Sequence, residues 1–320
     1  MNQLEMRAIY AQTLMELAAQ DSRIVLLEAD LMKASGTTVF RDRFPERTFN
    51  VGVAEANMVG VAAGLSAGGK IPFANTFGCF ASRRTYDQFF ISANYARLNV
   101  KLVGTDPGVS AAYNGGTHMP FEDAGIMRNI PKLVVFEPCD PVSLKALVIQ
   151  SARHQGCTYM RLHRKAIETI YPENETFELG KGKVLNDGND VTLIAVGAIA
   201  VAEALKAAEI LIKDGISAAV IDMHTIKPID TELVLQYAKK TGAILTCENH
   251  QVINGLGSAV AETLSEDYPT LMKRLGVDDE FGEVGTQEYL QERFGMTAKN
   301  YAACARELLK KKNNIQKKSK

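Results

Sequence analysis

The sequence lacks both an excess of charge and a long apolar run. Its 36 lysines and arginines nearly balance its 37 aspartates and glutamates, so the net charge is -1 at pH 7. A near-neutral chain argues against general nucleic-acid binding. No apolar run reaches the ~18 residues that cross a membrane, and the first residues lack the basic, apolar and small segments of a signal peptide. We therefore expect a cytoplasmic protein that binds neither nucleic acid nor membrane.

The common motifs for disulfides, metals and nucleotides are also absent. The five cysteines are odd in number and form no CxxC pair, which is typical of free thiols in a reducing compartment. The five histidines form neither HxxxH nor HExxH, so we expect no metal site built by this chain alone. The sequence contains no GxGxxG and no GxxxxGKS/T segment. The usual phosphate-binding loops are thereby excluded.

The chain does contain a regular alternation of strand-like apolar runs and helical segments. Its 320 residues, 46% of them hydrophobic, suffice for two domains with a large core. In the first half the predicted strands are 24–29, 48–52, 71–76, 100–105, 133–138 and 158–163. The predicted helices between them are about 3–19, 54–68, 80–96 and 140–153. This alternation predicts an α/β domain over 1–165, with a mostly parallel sheet and helices on both faces.

A second α/β unit is predicted after a polar stretch. Residues 166–190 contain glycines, a proline and many charges, and we interpret them as a linker. The second unit spans 191–312, with predicted strands at 191–197, 217–223 and 243–248 and helices at about 200–213, 230–240, 257–266, 286–293 and 297–311. Residues 313–320 form a basic tail, which we expect to be disordered and solvated.

One acidic residue lies at the start of an unusually apolar helix. The stretch 51–69 reads VGVAEANMVGVAAGLSAGG, and a helix that is apolar on all sides is a buried helix. No lysine or arginine lies within one turn of Glu55. Burial without a cation disfavours the charged form of a carboxyl, which is characteristic of catalytic groups that share a proton. The alternative is a solvent-exposed residue of the first helical turn, favoured there by the helix dipole.

Several segments together resemble the C-terminal half of transketolase, and more closely the separate second subunit of split transketolases. They are VGVAEANMVGVAAGLSAGG, TFGCFASRRTYDQ, NGGTHMPFEDAGIMRNIP, EPCDPVSLKALV and ENHQVINGLGSAVAE, and the resemblance runs from Arg7 to about residue 310. It implies a pyrimidine-binding domain for thiamine diphosphate, followed by a transketolase C-terminal α/β domain. It also implies transfer of a two-carbon ketol unit from a ketose to an aldose.

The resemblance implies roles for residues around the cofactor. Glu55 matches the glutamate that contacts N1′ of the aminopyrimidine, where a carboxyl that shares a proton serves catalysis. Phe77 and Phe80 match aromatic residues that pack on the pyrimidine ring; the alternative is simple core packing. A third aromatic residue of the family falls on Arg83 here, so the pocket is either incomplete or differently built. His250 could cap a helix or line a pocket, and we favour a structural role.

The resemblance also implies roles in binding the substrate. His118 matches a catalytic histidine that contacts substrate hydroxyls, although a core histidine is the alternative. Arg164 matches a phosphate-binding arginine, and Arg7 is a weaker match to another. Asn114 and Asp106 replace a family aspartate and a phosphate-contacting histidine. Because a carboxylate at position 106 would repel phosphate, we expect a modified sugar rather than an ordinary pentose phosphate.

A partner subunit is implied by what the chain lacks. Enzymes of this type hold the diphosphate through Mg²⁺ with a GDG segment followed by an asparagine, and no such segment is present. The resemblance therefore implies a transketolase N-terminal-type subunit that holds the diphosphate and Mg²⁺, with active sites between subunits. An α2β2 assembly is expected, in which the second domain serves dimer contacts.

Three alternatives remain at this point. One is the beta chain of a 2-oxo-acid dehydrogenase first component, which has similar size and domain order. Another is a synthase of the deoxyxylulose-phosphate type, which also carries an aspartate near position 106 but is a single long chain. The third is a catalytically silent structural subunit, whose properties would not change in a Glu55→Gln variant.

Overall fold

Two α/β units, each with its own sheet, make up the chain. The structure is a computed structural model and describes residues 4–318. The strands are β1 (Ile24–Glu28), β2 (Thr48–Asn50), β3 (Ile71–Phe77), β4 (Lys101–Thr105), β5 (Val134–Phe136), β6 (Thr158–Leu162), β7 (Lys183–Asn186), β8 (Val191–Val196), β9 (Ala218–Asp222), β10 (Thr225–Lys227), β11 (Ala243–Gln251) and β12 (Leu271–Val277). The first sheet has the order β10-β5-β6-β4-β3-β1-β2, and the second the order β12-β11-β8-β9-β7.

Helices cover these sheets. They are α1 (Met6–Gln20), α2 (Met32–Ser35), α3 (Thr38–Arg43), α4 (Glu55–Ala67), α5 (Gly78–Arg83), α6 (Tyr86–Gln88), α7 (Asp123–Arg128), α8 (Pro141–Arg153), α9 (Gly197–Ile212), α10 (Thr231–Thr241), α11 (Leu256–Asp267), α12 (Gln287–Arg293) and α13 (Ala298–Lys318). The start of α8 shows how the sequence sets a boundary. Asp140 and Ser143 form a reciprocal capping box around Pro141, which favours the first helical position.

The six predicted strands of the first sheet are confirmed and run parallel. Strands β1, β4, β5 and β6 are buried at every position, as expected for parallel strands covered by helices on both faces. Because neighbouring strands run in one direction, their carboxyl ends lie along one edge of the sheet. Phe77 ends β3 opposite Thr105 of β4, and Thr105 lies opposite Leu162 of β6. Open α/β sheets bind their ligands at this edge.

Three strands were not predicted. β7 lies inside the predicted linker 166–190 and pairs antiparallel with β9. Alternate residues of this short strand are half-buried and the others are exposed. β10 comes from the second half of the chain but pairs antiparallel with β5 of the first sheet. β12 includes two basic residues at the edge of the second sheet, which obscure its strand pattern.

The predicted helix 80–96 and the predicted disorder of the tail also need correction. The predicted helix 80–96 divides into α5, α6 and a π-helical segment, Phe89–Tyr95. The basic tail is not disordered over its described part, because α13 continues through Lys318. Lysine and glutamine are good helix formers, so the polar end can extend the helix. Residues 319–320, like the first residues of the predicted N-terminal helix, lie outside the described part.

A buried charged network joins the two units. The Arg161 side chain, fully buried in β6, forms ion pairs with Asp123 and Glu137 and donates a hydrogen bond of 2.9 Å to the carbonyl of Asn249. Burial raises the pKa of Glu137 to about 7, while Arg161 opposes that shift. Since Asn249 belongs to β11 of the second sheet, this network holds the second unit against the first.

Candidate active site

Glu55 is the first residue of α4 and is buried, with only 4% of its surface exposed. The exposed alternative is therefore wrong. The expectation of a carboxyl without a cation is wrong as well, because Arg84 Nη1 donates a hydrogen bond of 2.7 Å to Glu55 Oε1. Arg84 follows α5 and lies 29 positions further along the chain. A local reading around Glu55 could not detect such a partner.

The two predicted aromatic residues lie together at the end of β3 and the start of α5. The ring centroids of Phe77 and Phe80 are 6.0 Å apart, and both rings contact the His118 ring at 6.2 and 5.2 Å respectively. Both phenylalanines are only half-buried, which argues against simple core packing. The three rings form a partly open aromatic wall at the carboxyl edge of the sheet.

Arg84 lies between Glu55 and this wall. Its guanidinium carbon is 3.9 Å from the centroid of the Phe80 ring, while Nη1 contacts the Glu55 carboxylate. A flat, N–H-bearing group is thus held against an aromatic face and a carboxylate. An aminopyrimidine ring is also flat and carries N–H donors, so the accepting carboxylate and the aromatic face around Arg84 fit the group that the sequence predicts.

His118 lies in a tight turn, Gly116–His118, beside the aromatic wall. Its Nδ1 is 2.9 Å from the hydroxyl of Thr117, and its ring is half-buried. The turn is pressed against the loop after β12: a Cβ added to Gly116 would lie 2.0 Å from the carbonyl oxygen of Gly282. Glycine is therefore required at position 116, and the second unit holds the turn that carries His118.

Asp106 and Arg164 form a tight pair at the same edge. Arg164 Nε donates a hydrogen bond of 2.5 Å to Asp106 Oδ1, and a second contact joins Nη2 to Oδ2. The carboxylate is buried, which raises the pKa of Asp106 above its ordinary value although Arg164 opposes this. Arg164 also lies over the Phe77 ring at 5.2 Å. Asp106, which departs from the family pattern, thus partly neutralises the charge of Arg164, the predicted anion-binding residue.

Arg7 reaches the same place from α1. Its Nη1 donates a hydrogen bond of 3.0 Å to the carbonyl of Ala34, to which Arg164 Nη1 also donates at 3.3 Å. The backbone N–H of Arg7 bonds to the carbonyl of Arg164, which fixes the start of α1 beside the end of β6. Arg7 also pairs with the exposed Glu5. The structure therefore brings Arg7, Arg164 and Asp106 together.

The other predicted residues have simpler surroundings. Asn114 is exposed, at the end of the 3-10 segment Gly108–Asn114. Arg83 donates to the carbonyl of Thr117 at 2.8 Å and pairs with Glu122. His250 accepts a hydrogen bond of 3.1 Å from the N–H of Gly125, and burial lowers its pKa to about 4. His250 therefore packs as a structural residue, as expected.

Sequence reasoning missed Arg84. Its signal was present in the segment ASRRTYDQ, where two adjacent arginines end a helix that begins with the predicted aromatic residues. Only the fold shows that the second arginine, and not the first, faces Glu55.

Neither a metal-binding cluster nor a membrane-spanning helix is found among the described residues. Among residues 4–318 there is no group of three or more His, Cys, Asp or Glu side chains that could hold a metal ion. Within the same range, no helix has the length and apolarity required to cross a bilayer.

Both units match known domains. Residues 2–169 match the family described as transketolase, pyrimidine binding domain, and residues 180–300 match transketolase, C-terminal domain. The chain therefore belongs to the transketolase family. Its similarities place it with the beta-type, C-terminal subunits of split transketolases, which confirms the family and the fold class predicted from the sequence.

Three similar proteins illustrate this relationship. The 6-deoxy-6-sulfo-D-fructose transketolase subunit SqwH of Clostridium sp. (strain MSTE9) is 53% identical, over 96% of this chain and 95% of its own. A subunit of the apulose-4-phosphate transketolase of Phocaeicola vulgatus is 35% identical, over 97% and 99%. A solved structure described as "Split gene transketolase, inactive beta4 tetramer" has a TM-score of 0.88 at 43% identity, over 97% of this chain and 99% of that one.

Proposed function

We propose that this chain is the subunit of a split transketolase that binds the aminopyrimidine of thiamine diphosphate. With a partner, it transfers a two-carbon ketol unit from a ketose to an aldose. One observation carries the proposal: the buried Glu55 carboxylate and the Phe80 ring already hold a flat, N–H-bearing group between them.

The chain's own residues would hold the cofactor ring and move its proton. Glu55 would share a proton with ring nitrogen N1′ through a hydrogen bond, while Phe80 and Phe77 would pack on the ring and exclude water. When bound, thiamine diphosphate supplies the nucleophilic carbon and the electron sink that cleavage beside a carbonyl requires. The low exposure of Glu55 keeps competing water away from the shared proton.

His118 would contact the substrate hydroxyls. Its half-buried ring stands at the rim of the aromatic wall, and an imidazole can donate or accept a proton near neutral pH. Asn114, the exposed last residue of the neighbouring segment Gly108–Asn114, would contact a hydroxyl of the acceptor. These residues orient the sugar, and proximity of this kind accounts for a large part of enzymatic rate enhancement.

The anionic end of the substrate would bind at Arg164 and Arg7. Asp106 offsets part of their positive charge, which favours a ligand with one negative charge over one with two. A phosphate monoester carries about −1.5 to −2 at pH 7, whereas a sulfonate carries a single charge. The relative at 53% identity is named for a sulfonated ketose. We therefore propose a sulfonated ketose as the donor.

A partner of transketolase N-terminal type would complete the site. It would hold the diphosphate and Mg²⁺, in an α2β2 assembly with active sites between subunits. Support comes from the sequence, which lacks the GDG segment, and from the solved structure of similar fold, whose beta tetramer is described as inactive.

The Glu55→Gln variant tests this proposal. In the assembly with the partner, thiamine diphosphate and Mg²⁺, we expect kcat for ketol transfer to fall by about 10²–10⁴, because glutamine cannot share the proton. The matched control is Glu46→Gln, an exposed glutamate that pairs with its neighbour Arg47.

The outcome is read from steady-state rates with a ketose donor and an aldose acceptor. Normal turnover of Glu46→Gln together with loss in Glu55→Gln supports the assignment. Unchanged turnover in Glu55→Gln would contradict it and would return the chain to the class of structural subunits.

A further inference from the structure

The guanidinium of Arg84 contacts the two groups that the proposed cofactor ring would use, Glu55 and Phe80. It donates one hydrogen bond to Glu55 Oε1 at 2.7 Å and covers the Phe80 ring at 3.9 Å. Both contacts belong to the groups assigned above to the aminopyrimidine. The guanidinium therefore competes with the cofactor ring for the same carboxylate and the same aromatic ring.

The guanidinium is a chemical stand-in for that ring. It is flat, delocalised and rich in N–H donors, and it stacks on aromatic faces. An aminopyrimidine is likewise flat and delocalised, carries N–H donors on its amino group, and stacks on aromatic faces. Glu55 and Phe80 therefore bind flat groups that carry N–H donors. Within the chain, the Arg84 guanidinium is such a group.

Arg84 is also free to leave. Its side chain is 48% exposed, in contrast to the 4% of Glu55. Within the described residues, its guanidinium hydrogen-bonds to Glu55 alone. It stands at the end of the short helix α5, where a rotation of the side chain disturbs no helical hydrogen bond. Removal of Arg84 from the slot therefore costs one partly exposed ion pair and one ring contact.

We propose that Arg84 closes the aminopyrimidine slot of the cofactor-free subunit, and that it must swing out before the cofactor ring can bind. The inference rests on the proposed function of the Glu55 site. Before the cofactor binds, Arg84 would neutralise the buried carboxylate of Glu55, whose burial without a partner would be costly. In the loaded state the cofactor ring takes over that partnership.

This exchange predicts two effects of opposite sign in the Arg84→Ala variant. The cofactor-free chain should become less stable, because Glu55 loses its counter-ion. The cofactor should bind more tightly, because its competitor is gone. A residue with a merely structural role would lower both stability and affinity, and a residue that contacts the bound cofactor would lower affinity.

The test uses the full chain alone and its assembly with the partner subunit and Mg²⁺. We expect the dissociation constant of thiamine diphosphate, measured by calorimetry, to fall by about three- to tenfold in Arg84→Ala. The midpoint of thermal unfolding of the cofactor-free chain should fall by about 2–4 °C. Arg84→Lys keeps the charge but stacks less well. Its dissociation constant and unfolding midpoint should lie between those of Arg84→Ala and those of the natural protein.

Arg41→Ala is the matched control. Arg41 is about as exposed as Arg84 and, among residues 4–318, forms an ion pair with Asp42 alone, so the dissociation constant and the unfolding midpoint should both be unchanged. A dissociation constant in Arg84→Ala that stays the same or rises would overturn the inference. Failure of the proposed function is distinguishable: ketol transfer would then be absent in the natural assembly, whatever Arg84→Ala does to cofactor affinity.

Discussion

At the residue scale, Glu55 is subject to two opposing requirements. The catalytic role proposed for Glu55 requires a carboxylate in a dry, apolar wall, while folding disfavours a buried charge without a partner. The structure meets both with Arg84, which reaches Glu55 from the solvent side. The sequence predicted the burial of Glu55 from the apolar helix, but the partner could not be predicted, since it lies on another element.

Asp106 is a second residue-scale feature with a measurable consequence. We expect Asp106→Asn to shift the ratio of kcat/KM for a phosphorylated over a sulfonated ketose by about tenfold toward phosphate, because Arg164 is no longer neutralised. The measurement is a comparison of the two donors with the assembled enzyme. Asp42→Asn, at an exposed pair with Arg41, should leave the ratio unchanged. A ratio that stays constant in Asp106→Asn would refute a role of this carboxylate in donor selection.

At the element scale, the predictable parts were those governed by local patterns. The buried apolar runs of β1 and β3 to β6 indicated parallel strands, and Phe77, Asp106 and Arg164 then fell at one sheet edge. The strands that escaped prediction depend on distant partners: β7 pairs with β9, and β10 crosses to β5 of the other sheet. Likewise, nothing in the segment around His118 showed that a loop of the second unit would press on its turn.

The contact between that turn and the loop gives a prediction for Gly116→Ala. A Cβ at position 116 would collide with the carbonyl of Gly282, so the turn and His118 must shift. Misplacement of a catalytic group by about 1 Å can cost 10²-fold in rate, and we expect a fall in kcat of at least about tenfold.

The control for this prediction is Gly60→Ala in α4, where an added Cβ meets nothing within 4 Å. There we expect the isolated chain to gain about 0.5–1 kcal/mol of unfolding free energy in urea titration, as alanine favours helix. If Gly116→Ala retained full kcat in the assembly, the loop after β12 would have no part in placing His118.

At the scale of the whole molecule, the second unit supports loops of the first. Asn249 of the ENH segment accepts a hydrogen bond of 2.9 Å from the N–H of Val109 and donates one of 2.8 Å to the carbonyl of Pro107. Glu248 caps α11 through the N–H groups of Leu256 and Gly257. The second unit thus supports the loops that carry the site, although it supplies none of the predicted catalytic groups.

The most direct test is ketol transfer by the reconstituted pair of subunits. This chain is titrated with a transketolase N-terminal-type partner in the presence of thiamine diphosphate, Mg²⁺, a sulfonated ketose and an aldose acceptor. We predict turnover that rises until the subunits are equimolar and is absent from either subunit alone. Turnover by this chain without the partner, or none with any ketose in the complete mixture, would contradict it.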